Sequence, residues 1–287
     1  MRLAVGIATI GRPALLGAVL EELTRQTRSP DRIIVCAPTA DDVAGISADH
    51  IDVIIGPRGL TRQRNAIIDR LDDCDLLQFF DDDFVPATTY LAEIERAFTA
   101  DPGVAMITGE VIADGIIGPG FDIAEARRRL AANAIGGGDA LQPVENGYGC
   151  NMAVRLAAVR AAQCRFDERL PLYGWLEDVD FSRQLAREGR IAKLAAARGV
   201  HLGVKQGRQS GVRLGYSQIA NPIYLSRKGT CPWSRTLRQM GRNVAMNLAR
   251  SLNPEPYVDR AGRFAGNLKA MRDLMTGRLD PQRILEL

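Results

Sequence analysis

The run Leu76-Leu77-Gln78-Phe79-Phe80-Asp81-Asp82-Asp83-Phe84-Val85-Pro86 decides how the rest of the chain is read. Its first half is a short apolar stretch of strand character, and a polar break and a proline follow at once. Three carboxylates therefore stand where a strand ends and the chain turns, which in an open α/β sheet is the edge that binds ligands. Three adjacent like charges repel one another unless something cationic neutralises them. A hard divalent ion such as Mg2+ or Mn2+ takes oxygen ligands, commonly one or two carboxylates together with substrate phosphates. The residues support two readings: a metal–diphosphate site, or a solvated acidic turn ahead of a helix that begins near Thr88.

Upstream, residues 3–10 have strand character and end at Thr9-Ile10-Gly11-Arg12-Pro13, where the proline suits the first turn of a helix. Leu15, Leu16, Val19, Leu20 and Leu23 then recur at helical spacing. Residues 31–37 and 51–55 read as two more buried strands. Gly59-Leu60-Thr61-Arg62-Gln63-Arg64-Asn65 leads into a helix that reaches Leu71, with Thr61 as its N-cap. Downstream of the acidic run, a helix over 88–98 and a strand over 104–113 continue the alternation. The fold class is α/β: a mostly parallel mixed sheet flanked by helices. That fixes the architecture and leaves the chemistry open.

Past Asp114 the pattern loosens. Gly118–Gly120 and Gly136–Gly138 bracket Arg127, Arg128 and Arg129, which read as a loop or helix beside the site. Order returns at Gly147–Arg155 and in a helix over 157–163. Tyr173-Gly174-Trp175-Leu176-Glu177-Asp178 places a second acidic cluster at a helix start, and Gly189 ends that helix. A late strand over 191–197 precedes His201. Residues 239–252 and 261–275 read as helices separated by Pro254 and Pro256. The expected division is a nucleotide-binding catalytic domain over 1–218 and a basic helical extension over 219–287.

The 287 residues are 46% hydrophobic, enough for a proper core. No apolar run has the length of a membrane span. Gly11-Arg12-Pro13 cuts the first apolar stretch too short for a signal peptide. Cys36, Cys74, Cys150, Cys164 and Cys231 are scattered and odd in number, which fits free thiols in a reducing cytosol and gives no zinc pattern. The net charge of +3 conceals an asymmetry. Residues 1–200 carry 22 Lys+Arg against 29 Asp+Glu, a net of −7, and residues 201–287 carry 15 against 5, a net of +10. A basic end on an acidic body points to a polyanionic surface, or else to a solvated helix face.

Five features in order give the chain a resemblance to the family-two glycosyltransferases of the GT-A fold, over roughly residues 1–205. They are the strand ending Thr9-Ile10-Gly11-Arg12, the segment Gly59–Asn65, Phe80-Asp81-Asp82-Asp83, Asn151-Met152-Ala153-Val154-Arg155, and Trp175-Leu176-Glu177-Asp178. The resemblance implies that Asp81 and Asp82 bind the nucleoside diphosphate sugar donor and that Asp83 is a direct ligand of its Mg2+ or Mn2+. It implies Asp178 as catalytic base, beside Glu177. Thr9, Arg12, Arg62, Arg64 and Asn65 fall in the donor-binding segments. His201, after the late strand, is placed as a further metal ligand, although a lone histidine is more often a packed residue. In this family the second strand typically ends in acids that grip the nucleobase; here it ends Val35-Cys36-Ala37-Pro38-Thr39, and acid first appears at Asp41 and Asp42. Asp41 and Asp42 swing in for that task in this reading, or else the backbone and Arg64 hold the base, with UDP as the default nucleotide.

The roles are physically coherent. A carboxylate can take the proton of an attacking acceptor hydroxyl, and a like-charge neighbour such as Glu177 raises its pKa towards a useful value. A divalent ion and an arginine neutralise the departing diphosphate. Tyr173 and Trp175 can stack on an apolar sugar face; packing in the core is the other reading of Trp175. The implied reaction is an inverting, metal-dependent transfer to a hydroxyl of a saccharide or lipid-linked saccharide, in surface polysaccharide synthesis. A cytoplasmic enzyme lying peripherally on the inner membrane face would use the basic end against anionic lipid; a helical cap or a homodimer contact is the alternative. Nucleic acid is not expected as a partner, since no recognised motif for it is present. A haloacid-dehalogenase-type phosphatase would need its Asp pattern near the N-terminus. A nucleotidyltransferase would need a glycine-rich first loop, and a non-catalytic sugar- or head-group-binding module would bind metal without turnover.

Overall fold

The computed structural model describes residues 1–46, 51–116, 118–133, 138–205 and 210–287. The chain forms two compact units. The first comprises Met1–Arg58, Arg62–Arg165 and Gln184–Gly207, and the second Gly59–Thr61, Phe166–Arg183 and Arg208–Leu287.

In the first unit the elements follow the alternation read from the sequence: β1 (Leu3–Ala8), α1 (Pro13–Thr24), β2 (Arg32–Ala37), β3 (Ile51–Ile55), α2 (Leu60–Ile68), β4 (Leu76–Asp81), β5 (Phe84–Pro86), α3 (Tyr90–Ala100) and β6 (Val104–Asp114). α4 (Ile123–Ala132), β7 (Leu141–Pro143), β8 (Met152–Arg155), α5 (Leu156–Ala161), α6 (Glu177–Leu185) and β9 (Arg190–His201) follow. The first turn of α2 and most of α6 belong to the second unit. Arg127, Arg128 and Arg129 lie on helix α4, where Arg127 pairs with Glu22 and the other two with Glu125. Part of the glycine run that was expected to bracket them, at 134–137, lies outside the described residues.

The nine described strands form a sheet in the order β3-β2-β1-β4-β8-β6-β9-β5, with β7 paired to β9. β3, β2, β1 and β4 run parallel, β8 is antiparallel to both β4 and β6, and β9 runs parallel to β6. β1 and β4 are buried along nearly their whole length, as strands covered on both faces must be. The core joins Leu3, Val5 and Ile7 to Leu16, Val19 and Leu23 of α1 and to Tyr90, Leu91, Ile94 and Phe98 of α3. Phe80 stacks on Phe84 with centroids 5.1 Å apart, and Tyr90 meets both rings edge-on.

Two registers position the site. Strand order reverses about β1, which lies between β2 and β4, and Ala8 is level with Asp81. The loops after β1 and β4 therefore open at the same edge, at the switch point where α/β sheets bind ligands. β5 runs antiparallel to the end of β9 with Phe84 opposite His201, and the end of β6 runs parallel to β9 with Asp114 opposite the same histidine. A Cβ on Gly199 would stand 2.1 Å from the Phe84 ring, so only glycine lets β5 close on β9 there.

The second unit is mainly helical: α7 (Gly211–Lys228), α8 (Trp233–Arg250) and α9 (Arg260–Met275). α7 and α9 meet backbone to backbone: a Cβ on Gly215 would lie 2.0 Å from the Arg263 carbonyl oxygen, and one on Gly266 2.1 Å from that of Val212. Glycine is the residue that permits such an approach. Tyr216, Ile219, Ala220, Ile223, Ala270 and Ile284 form its core. A polar group is buried beside them: Asn247 donates to Gln218 at 2.8 Å and Asn267 at 2.9 Å, and Asn267 donates to the Gly215 carbonyl at 2.6 Å. Among the described residues no helix is long and apolar enough to cross a membrane. All five cysteines are buried free thiols.

Candidate metal and donor site

The three consecutive aspartates at the end of β4 take three different environments. Asp81, the outermost, receives Arg64 Nη2 at 2.9 Å. Arg64 is itself almost wholly buried, bonds the Gly149 carbonyl at 2.7 Å and lies over the Phe79 ring. Asp82 turns inward, where it accepts from Thr9 Oγ1 at 2.6 Å and has Arg12 Nη2 2.6 Å away. Asp83 has other partners: its Oδ2 accepts from the Val204 amide at 3.0 Å, and its Oδ1 lies 3.4 Å from His201 Nε2. Arg12 Nη1 reaches within 3.5 Å of Asp83, so one arginine spans two carboxylates. The repulsion expected from three adjacent acids is met by Arg64, Arg12 and His201.

His201 is held from behind. Its Nδ1 lies 2.9 Å from Asp114 Oδ1, Tyr148 Oη donates to Asp114 Oδ2 at 2.8 Å, and the Tyr148 ring meets the imidazole edge-on. A carboxylate on the far nitrogen of a histidine fixes the ring and raises its basicity as a metal ligand. One donor atom from each of Asp81, Asp83 and His201 falls within 4.8 Å of the others. Two carboxylates and one imidazole fit a divalent ion that accepts oxygen and nitrogen together.

The electrostatics follow from burial and partners. Burial lifts the Asp82 carboxyl above the ordinary carboxylate range, opposed by the charge of Arg12 and helped by that of Asp83. Burial would raise Asp83 too, but its hydrogen bond and charge interaction with His201 hold it low. For His201 burial disfavours the charged ring, yet the bonds to Asp114 and Asp83 outweigh it and lift the imidazole to about 10.

The other residues singled out from the sequence are spread over both units. In the first, Arg62 is exposed and Asn65 buried. Asp42 sits at a helical turn after β2, where it accepts from the Gly11 amide at 2.6 Å and from Thr39 Oγ1 at 2.7 Å. Gln63, on α2, donates to the Thr9 and Cys36 carbonyls and ties the ends of β1 and β2 together. Asn151 is buried on Thr108 and Gly109. In the second unit, Tyr173 is exposed, Trp175 is partly buried and Glu177 buried. Asp178 Oδ1 accepts from the Val179 amide at 2.8 Å. The loop that carries them is bent: Leu172, Gly174 and Leu176 all have left-handed backbone, at φ 60°, 65° and 74°. Two leucines in that region are costly, and such strain collects at functional loops. Buried Leu170 and Leu176, packed with Val179 and Leu225, hold it in place.

Asp114 and Tyr148 were not singled out from the sequence. A lone Asp at the end of Val111-Ile112-Ala113-Asp114 carries no motif; the β6–β9 register alone brings it to His201.

No protein-family model matches this sequence, and no curated protein is significantly similar to it. Solved structures are similar in fold. GalNAc-T7 with UDP, GalNAc and Mn2+ superposes with a TM-score of 0.56 at 13% identity, over 100% of this chain and 56% of that one. The mannosyltransferase PcManGT from Pyrobaculum calidifontis, in complex with GDP-Man and Mn2+, gives 0.52 at 14%, over 99% and 85%. S. aureus TarS residues 1–349 in complex with UDP gives 0.52 at 14%, over 69% of this chain, which spans 59% of that TarS fragment. With the switch-point sheet and the acidic end of β4, these likenesses give the chain the fold of the GT-A glycosyltransferases.

Proposed function

We propose that this chain is a glycosyltransferase that moves a sugar, with inversion, from a nucleoside diphosphate sugar to a hydroxyl of a saccharide or lipid-linked saccharide. The observation that carries the reading is the Asp81–Asp83–His201 cluster at the carboxyl edge of β4 on a GT-A fold. Asp83, His201 and Asp81 would hold Mn2+ or Mg2+, which when bound neutralises charge on the departing nucleoside diphosphate. The two carboxylates suit either ion, and Mn2+ is the metal in the GalNAc-T7 and PcManGT complexes.

The chain's own groups take the remaining tasks. Arg12, which spans Asp82 and Asp83, would exchange a carboxylate for a diphosphate oxygen in this reading. Thr9, Arg62, Arg64 and Asn65 complete the donor side in this reading. Asp178, at the start of α6, accepts the proton of the acceptor hydroxyl, with Glu177 beside it in the chain. Tyr173 and Trp175 present rings to the sugar. UDP is the donor nucleotide in this proposal, and surface polysaccharide the product. The excess of positive charge after residue 200 suits work at the inner face of a membrane. A nucleotidyltransferase or a non-catalytic module is not favoured, since the neighbours in fold are glycosyltransferases.

The test is Asp178→Asn. The variant should bind donor like wild type and lose transfer to saccharide acceptors; normal transfer would assign the base elsewhere.

A further inference from the structure

Helix α8 buries polar side chains and leaves most of its large apolar ones exposed. Its two buried residues are Thr236 and Asn247, not its apolar ones. Thr236 Oγ1 lies 2.6 Å from Ser226 Oγ and 3.2 Å from the Pro222 carbonyl oxygen, and Asn247 donates to both Gln218 and Asn267. Buried polar groups bonded in this way fix which side of a helix faces inward, because rotating it would leave them unpaired. The outward side is then a row at helical spacing, Trp233, Leu237, Gly241, Ala245 and Leu248, with Leu252 just past the helix end. Trp233 is 50% exposed, Leu237 62%, Leu248 52% and Leu252 94%. Met240 and Val244, at the row's inner margin, are the apolar residues of the helix that reach the core.

Charge decides what covers this row. α8 carries Arg235, Arg238, Arg242 and Arg250 and no acidic residue. At 3.6 residues per turn Arg238 and Arg242 border the apolar row on one side. A second copy docking on the same face would bring arginines against arginines out of water, which is costly. An anionic bilayer meets both demands: acyl chains take the leucines, headgroups take the guanidinium groups, and tryptophan suits the boundary between them.

We infer that α8 lies in the surface of an anionic membrane, with Trp233, Leu237 and Leu248 inserted and Arg238 and Arg242 on the headgroups. The helix docks the second unit without spanning the bilayer. This names the surface and residues of the membrane contact, and it holds or fails independently of the transferase reading.

The experiment is flotation of the full chain with phosphatidylcholine vesicles, with and without phosphatidylglycerol, together with tryptophan emission. The chain has two tryptophans, Trp175 and Trp233. Binding to the anionic vesicles, a blue shift that W233F removes, and loss of flotation in L237E/L248E are the expected results. R238Q/R242Q should bind more weakly by roughly fivefold per arginine, since each such contact is worth about 1 kcal/mol. All five positions are exposed, so circular dichroism should show every variant folded. Absence of flotation with phosphatidylglycerol overturns the inference. So does equal binding to neutral vesicles, or a Trp233 shift that follows protein concentration without vesicles, the mark of a second copy. Unchanged flotation of L237E/L248E overturns it too.

Discussion

His201 stands between two aspartates, with Nδ1 2.9 Å from Asp114 Oδ1 and Nε2 3.4 Å from Asp83 Oδ1. Asp114 is thus the residue that aims the ring. Asp114→Asn keeps the size and removes the charge. Mn2+ affinity should fall about 10- to 100-fold, the usual cost of losing a partner behind a metal ligand. Counting free Mn2+ by electron paramagnetic resonance checks this; unchanged affinity would leave Asp114 without a role in the metal site.

The closure of β5 on β9 depends on the bare α-carbon of Gly199 under the Phe84 ring. Gly199→Ala should destabilise the first unit by about 1–3 kcal/mol through overpacking. It should also weaken Mn2+ binding, because the same pairing sets Asp83 beside His201. Urea denaturation and metal titration of one variant read both effects; a stable variant with normal metal affinity would refute the link.

Gly174 has φ 65°, and a Cβ there would lie 3.1 Å from Thr61 Cγ2 and 3.3 Å from the Leu170 carbonyl oxygen. Gly174→Ala should cost about 1–2 kcal/mol in backbone strain. Under the proposed function it should reduce transfer more than donor binding, since the loop carries Trp175, Glu177 and Asp178. Equal losses in kcat and in donor affinity would detach the loop from catalysis.

Asp167 accepts from Lys228 and from Tyr224 Oη, at 2.6 Å and 2.8 Å. Burial alone would raise its carboxyl, but the bond from Lys228, with those from the Arg169 amide and Tyr224, holds it below the ordinary carboxylate range. A lowered folded-state pKa gives stability that is present above the unfolded value and lost as pH falls through the folded one. Asp167→Asn should therefore be less stable than wild type at neutral pH, with the gap closing below about pH 4. Denaturation midpoints across that range decide it; a gap independent of pH would make the contact purely one of shape.

The alternation of apolar runs and amphipathic helices made β1 to β4, α1 and α3 legible; β1, β2 and β4 are buried as their composition implies, whereas β3, expected to be buried, is an edge strand that leaves Val53 and Ile55 exposed. The acidic end of β4 and His201 were legible as chemistry, and their juxtaposition is visible only in the β5–β9 pairing. That Asp82 meets Thr9 and Arg12, Asp81 meets Arg64 and Asp83 meets His201 is set by tertiary partners, which three identical residues conceal. α7 was not read as a helix: Gly211, Gly215 and Pro222 break its pattern, and its buried face includes Ser217, Gln218 and Asn221. α8 begins at Trp233 rather than Gln239, since its apolar row faces outward and marks no core.

The most direct measurement is calorimetric titration of UDP, GDP, ADP and TDP into the wild-type chain and Asp83→Ala, each with and without Mn2+. The account predicts tight binding of UDP that needs the metal and is lost in Asp83→Ala. No nucleoside diphosphate binding with Mn2+ present, or equal binding by Asp83→Ala, would contradict it.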